Sequence, residues 1–317
     1  MTITWKKVHI GGGGYVLGGQ MSADGTLFIC KTDVFGGYVY NFTTHIWDQV
    51  IRPSKFPPQA LVGQGPNKTP PADGFSEFRF AKSNLDVMYA CYLSKIYKST
   101  NRGASFVELT GYGSHTMEAN NGAAHSRKAT PRMDIDPINP NVVYVCTDTE
   151  GVFKTTDGGT TWGNIGLPGN ANSDHPGLVC FDQTSSPIGG KTGTVYISVD
   201  GFGLYKSTDA GVTWPGSPMT GSPTKIIQLK QATNGKIAMV NHDVSIAGTT
   251  GTPYQLYKLV GTTFTEISPF LTKGAHSQQW NHNVAIDPSS PDHADPDSLK
   301  HLDGSPRRRS RLGFGDV

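Results

Sequence analysis

Charge is scarce in this sequence. Only 16% of its 317 residues are Asp, Glu, Lys or Arg, and the formal net charge is +2. A balance that small does not build the positive surface that a nucleic-acid partner requires. The one basic cluster, Arg307, Arg308, Arg309 and Arg311, falls in the last eleven residues and reads as a solvated tail. Apolar runs of membrane length are lacking, as are helical heptads and long amphipathic stretches. No signal-peptide core follows Met1–Lys7, so the expectation is a cytoplasmic protein or one whose export signal has been removed. Cysteine is limited to 4 residues. His242, His276 and His282 lack metal-ligand spacing, so no metal and no cofactor are expected.

Glycine, proline and aromatic residues are plentiful: Gly 39, Pro 21 and 10% Phe, Trp and Tyr. That composition describes many short strands joined by tight turns within one large all-β domain. Three segments then match one template, namely Ser99–Phe106 (STNRGASF), Thr155–Trp162 (TTDGGTTW) and Ser207–Trp214 (STDAGVTW). This is the Asp-box, or BNR, pattern. An aromatic stands two residues before each, at Tyr97, Phe153 and Tyr205. Two weaker copies follow the same layout, Tyr38 to Trp47 and a shortened one at Tyr257–Phe264. The marker aromatics at 38, 97, 153, 205 and 257 give steps of 59, 56, 52 and 52 residues. Such a period fits a four-stranded propeller blade.

The recurring residue types have a physical reason. An Asp at a hairpin tip accepts backbone N–H groups of its own turn, and the Gly two positions on adopts positive φ. The closing Trp returns to pack between sheets. Asn101, Asp157 and Asp209 are therefore expected to be structural, with Trp162 and Trp214 largely buried. Upstream, Asp134–Cys146 reads as strand, Pro/Asn turn and strand. Cys30, Cys91 and Cys146 end equivalent apolar triplets on successive blades, which predicts separated, buried, reduced thiols. The expected fold is an all-β propeller of four-stranded blades over residues 1–292, with five to six blades recognisable of an incomplete seven. Residues 293–317 lack strand alternation and are expected to be an irregular tail, truncated or frame-shifted near His293.

The stretch Trp5–Gly19 (WKKVHIGGGGYVLGG), followed by Lys31–Asn41 (KTDVFGGYVYN) and Trp47, resembles the opening of glycoside hydrolase family 74, the endo-β-glucanases and xyloglucanases. The likeness in blade layout runs along most of residues 5–292, and these two stretches are its specific part. The resemblance implies two seven-bladed propellers facing across a cleft, inverting hydrolysis of a β-glucan, and one catalytic Asp from each propeller. It places the general base at Asp33. It also implies a polysaccharide partner and a second propeller domain or chain carrying the general acid. Phe35 stands where the family has Gly, and Val39 where it has Arg.

Gly36 and Gly37 beside Asp33 suit a close approach by another chain. Tyr38, Tyr40 and Trp280 are candidate sugar-stacking aromatics, with blade packing as the plainer role for all three. Arg132 occupies a place where the family also carries Arg. Two other functions fit the repeats: a non-catalytic propeller that binds a glycan or protein, and a sialidase-like hydrolase. The second needs an Arg cluster and a Phe-Arg-Ile-Pro-like motif, of which Phe78–Ala81 (FRFA) is a faint echo.

Overall fold

The computed structural model describes residues 16–32, 35–61, 74–117, 131–169, 177–242, 254–267, 285–286, 293–295 and 312–313. Short antiparallel strands form separate sheets in chain order, as in a propeller. The first blade comprises β1 (Val16–Met21), β2 (Leu27–Thr32), β3 (Gly37–Asn41) and β4 (Ile46–Gln49). The second comprises β5 (Glu77–Ala81), β6 (Asn84–Tyr92), β7 (Lys95–Ser99) and β8 (Val107–Glu108). The third comprises β9 (Met133–Ile135), β10 (Val143–Cys146), β11 (Val152–Thr155) and β12 (Gly163–Asn164).

The fourth sheet has three strands, β13 (Leu178–Phe181), β14 (Val195–Val199) and β15 (Gly203–Ser207). Pro215 directly follows Trp214 and has no N–H to give to a fourth strand. One bond keeps the layout: Met219 N–H donates to the Leu204 carbonyl, as Leu109, Ile165 and Ile267 donate to Ile96, Val152 and Leu256 in the other blades. The fifth blade comprises β16 (Ile226–Gln231), β17 (Ile237–His242), β18 (Tyr254–Val260) and β19 (Thr263–Glu266). A small sheet of β20 (Ala285–Ile286), β21 (His293–Asp295) and β22 (Leu312–Gly313) follows, so short pairings occur within the segment expected to be irregular.

The core lies between consecutive sheets. Leu27, Ile29 and Val39 of blade one meet Phe78, Phe80 and Met88 of blade two, and three similar clusters join blades two to five. All four cysteines are buried as free thiols.

The turns that follow the third strands of blades two, three and four share one hydrogen-bonding scheme. Ser99, Thr155 and Ser207 donate their hydroxyls to Oδ1 of Asn101, Asp157 and Asp209 at 2.9, 2.8 and 2.7 Å. The same hydroxyls accept the N–H of Gly103, Gly159 and Gly211. Oδ1 of the Asn or Asp then accepts the N–H of Ser105, Thr161 or Thr213. The fourth and fifth turn residues both take positive φ, for example Arg102 at 57° and Gly103 at 79°.

Trp162 and Trp214 are half-buried, which corrects the expectation of largely buried rings. Each sits at the outer edge of its blade with one side packed, against Tyr112 at 5.2 Å and Tyr144 at 6.2 Å.

Candidate functional site

Neighbouring first strands begin side by side, because Arg132 N–H donates to Glu77 Oε2 and Val179 N–H to the Pro131 carbonyl. The turns after first strands also meet, with Thr192 bonded to Asp136. The blades therefore share one orientation. Along antiparallel strands, the starts of the first strands and the turns joining second to third strands lie on one face. The hairpins of Asn101, Asp157 and Asp209 lie on the other.

Asp33 and Trp280 lie outside the described residues, so their expected roles have no geometry here. The flanks of Asp33 are described. Thr32 closes the turn through its N–H and hydroxyl, which donate to the Gly36 carbonyl at 3.2 and 3.1 Å. Gly36 pairs with Gly74 in an isolated parallel bridge. A Cβ on Gly36 would meet Ile51 at 2.7 Å, and one on Gly37 would meet Phe75 at 2.8 Å. Gly36 and Gly37 do receive a close approach, but it comes from the protein's own chain at the entrance to blade two. That corrects their assignment to substrate contact, since both are buried.

Tyr38 and Tyr40 are buried as well, at 5% and 8% exposure. The Tyr40 ring packs on Trp47 at 4.9 Å and on Phe42 at 4.9 Å, and Tyr38 meets Trp47 edge-on. Blade packing takes these rings, so neither serves as a sugar platform in this arrangement.

Arg132 has 0% exposure, which removes it from direct contact with a substrate. Its guanidinium donates to the Met117 carbonyl and to Asp148 Oδ1. It belongs to a buried charged group that the sequence did not announce. Lys31 Nζ donates to the Ser76 carbonyl at 2.7 Å and lies 3.6 Å from Glu77 Oε1, which Arg79 Nη2 approaches to 3.3 Å. Burial pulls the Lys31 ammonium down to about 8 against the opposing pull of Glu77. Burial alone would raise Glu77, yet Arg79, Lys31 and the N–H groups of Arg132 and Phe78 hold it below the usual carboxylate range. One signal in the sequence did point here. Counting five residues back from the marker aromatics Tyr38, Phe153 and Tyr205 gives Asp33, Asp148 and Asp200.

His242 ends β17, while His276 and His282 lie outside the described residues. Among the described residues, no group of three or more His, Cys, Asp or Glu could hold a metal ion. No helix among them is long and apolar enough to cross a membrane.

No family model matches the chain. It is 27% identical over 235 residues to a xyloglucanase of Acetivibrio thermocellus, covering 68% of this chain and 27% of that protein. It is 28% identical over 302 residues to a xyloglucanase of Hypocrea jecorina, covering 84% of this chain and 34% of that one. The crystal structure of a family 74 xyloglucanase from Xanthomonas campestris superposes with a TM-score of 0.68 at 21% identity, over 92% of this chain and 43% of that chain. The chain is glycoside hydrolase family 74-like. As a family-74-like propeller it spans about a third or less of the length of these two curated relatives.

Proposed function

We propose that this family-74-like chain is a glycan-active propeller corresponding to the N-terminal half of an inverting endo-β-1,4-glucanase or xyloglucanase, with Asp33 as its general base. The reading rests on the similarity to xyloglucanases over 68% and 84% of the chain. An inverting site needs one carboxylate to activate water and a second to protonate the leaving oxygen, about 6.5–9.5 Å apart. Asp33 supplies the first, in a turn whose flanks Thr32 and Gly36 are pinned to each other and to the entrance of blade two. The general acid belongs to a second propeller, in another part of a longer protein or in a partner chain. Trp280 is the remaining stacking candidate from the sequence. The buried Tyr38, Tyr40, Gly36 and Gly37 hold the base's turn and its blade in place, while Arg132 ties blade three to Glu77 of blade two.

The chain alone then binds β-glucan and hydrolyses it poorly, because losing general-acid assistance removes a factor of about 10² to 10⁴ in rate. The test is reducing-end release from xyloglucan and mixed-linkage glucan by the chain and by Asp33→Asn. Background turnover alongside measurable binding supports the reading. Robust turnover abolished by Asp33→Asn shows that an acid lies within these 317 residues. Robust turnover indifferent to the substitution removes Asp33 as the base.

A further inference from the structure

Two large aromatic side chains stand out in the turns of the face that gathers the first-strand starts. Phe35, between β2 and β3, is 40% exposed, and Phe202, between β14 and β15, is 41% exposed. Both fall three residues before a marker aromatic, Tyr38 and Tyr205, so they occupy the same place on blades one and four. Blades two and three carry Ser94 and Glu150 there.

The two turns are built alike. Behind Phe35, the Gly36 carbonyl accepts Phe75 N–H at 3.1 Å, tying the turn to the entrance of blade two. Beside Phe202, Gly201 N–H donates to the Thr224 carbonyl at 2.8 Å, tying that turn to the entrance of blade five. Phe202 is flanked by Gly201 at φ 80° and Gly203 at φ 128°, which absorb the bend around it. Phe35 is followed by Gly36 at φ 74°, but unlike Phe202 it itself takes positive φ, at 62°, a left-handed conformation that suits glycine and strains a bulky residue. An aromatic is thus held there at a steric cost while the residue stays open to solvent over 40% of its surface.

We propose that Phe35 and Phe202 are stacking platforms for the sugar rings of a β-glucan chain lying across this face. The chemistry is the fit of an aromatic ring to the C–H face of a pyranose, whose hydroxyls stay in water around the contact. Both platforms are held by backbone bonds before the ligand arrives, so little ordering is lost on binding. Because they stand on blades one and four, one ligand reaches both only if it is an extended polymer. This inference rests on the glycan-active reading and names residues that the family resemblance does not assign.

The experiment is calorimetric titration of the full chain with polymeric xyloglucan and with a short cello-oligosaccharide. The variants are Phe35→Gly, Phe202→Ala, the double variant, and Val212→Ser as a control on the opposite face, where Val212 is 71% exposed. Each single Phe variant is expected to weaken polymer binding by about 3- to 10-fold, the range of an aromatic stacking contact. The double variant should lose at least the product for the polymer, and no more than a single variant's loss for the short oligosaccharide. Val212→Ser should bind as the unaltered chain does. Phe35→Gly should also raise the melting temperature, since glycine takes positive φ freely. If Phe35→Gly fails to fold, Phe202→Ala decides alone. Binding by the unaltered chain that both Phe variants keep within twofold overturns this inference and leaves the glycan-active reading standing. No binding by the unaltered chain to any β-glucan overturns both.

Discussion

Arg132 and Glu77 join two blades at the mouth of the propeller: the backbone N–H of Arg132 donates to Glu77 Oε2 at 3.0 Å. Glu77 faces Lys31 of the first blade through its other oxygen and Arg79 of its own. One buried carboxylate thus touches three consecutive blades. Neutralising it in Glu77→Gln leaves two buried cations without their counter-charge and should cost about 3–5 kcal/mol, read from chemical denaturation. A loss below about 1 kcal/mol would mean that the blades are held by their apolar clusters alone.

Lys31 gives this group a pH signature. Its folded-state value of about 8 lies below the ordinary 10.5, so the unfolded chain binds the proton more tightly between those values. Stability from this residue is therefore fully present above about pH 10.5 and is lost as pH falls through about 8. Urea unfolding from pH 7 to 11 should show this rise in the unaltered chain relative to Lys31→Met, whose curve lacks the component. Parallel curves for the two proteins would contradict the assignment.

The hairpin carboxylates behave in the opposite range. Hydrogen bonds from the Thr161 hydroxyl and N–H and the Thr155 hydroxyl hold Asp157 well below the ordinary carboxylate value, and Thr213 and Ser207 do the same for Asp209. Their contribution is present above about pH 4 and is lost as pH falls through their depressed values. Asp157→Ala and Asp209→Ala should each lower the melting temperature at pH 7 by a few degrees, and by less at pH 2. Equal losses at both values would show that the carboxylate charge is not what the turn uses.

Half-burial sets the scale for the hairpin tryptophans. Trp162→Ala and Trp214→Ala should cost about 2–3 kcal/mol each, below the loss at a fully buried aromatic. A loss above about 4 kcal/mol by urea denaturation would mean that the rings carry more of the inter-blade packing than their exposure indicates.

The hairpins were legible because their chemistry is local. Ser99, Asn101, Gly103 and Ser105 meet within one turn, so their spacing along the chain carries the geometry. The same local reading took Tyr38 and Tyr40 as candidate platforms, and their contacts with Trp47 come from the same hairpin. Beyond the Asp that recurs five residues before three marker aromatics, the buried charges were not legible. Lys31, Glu77 and Arg132 come from three blades, and lysine and arginine ordinarily sit at the surface. Only the fold brings them together. Gly36 and Gly37 were recognised as a point of close approach, but which chain approaches depends on Ile51 and Phe75 of neighbouring segments. Phe35 was legible only as a departure from the family's Gly and Phe202 not at all, because an isolated Phe in a turn has no sequence signature until its exposure is known.

The central claim, a glycan-active propeller, is tested most directly by calorimetric titration of the purified full chain with xyloglucan. The account predicts saturable binding that persists in Asp33→Asn, since holding the sugar chain does not require the base. Absence of binding to xyloglucan and to mixed-linkage glucan by a chain that melts cooperatively would contradict it.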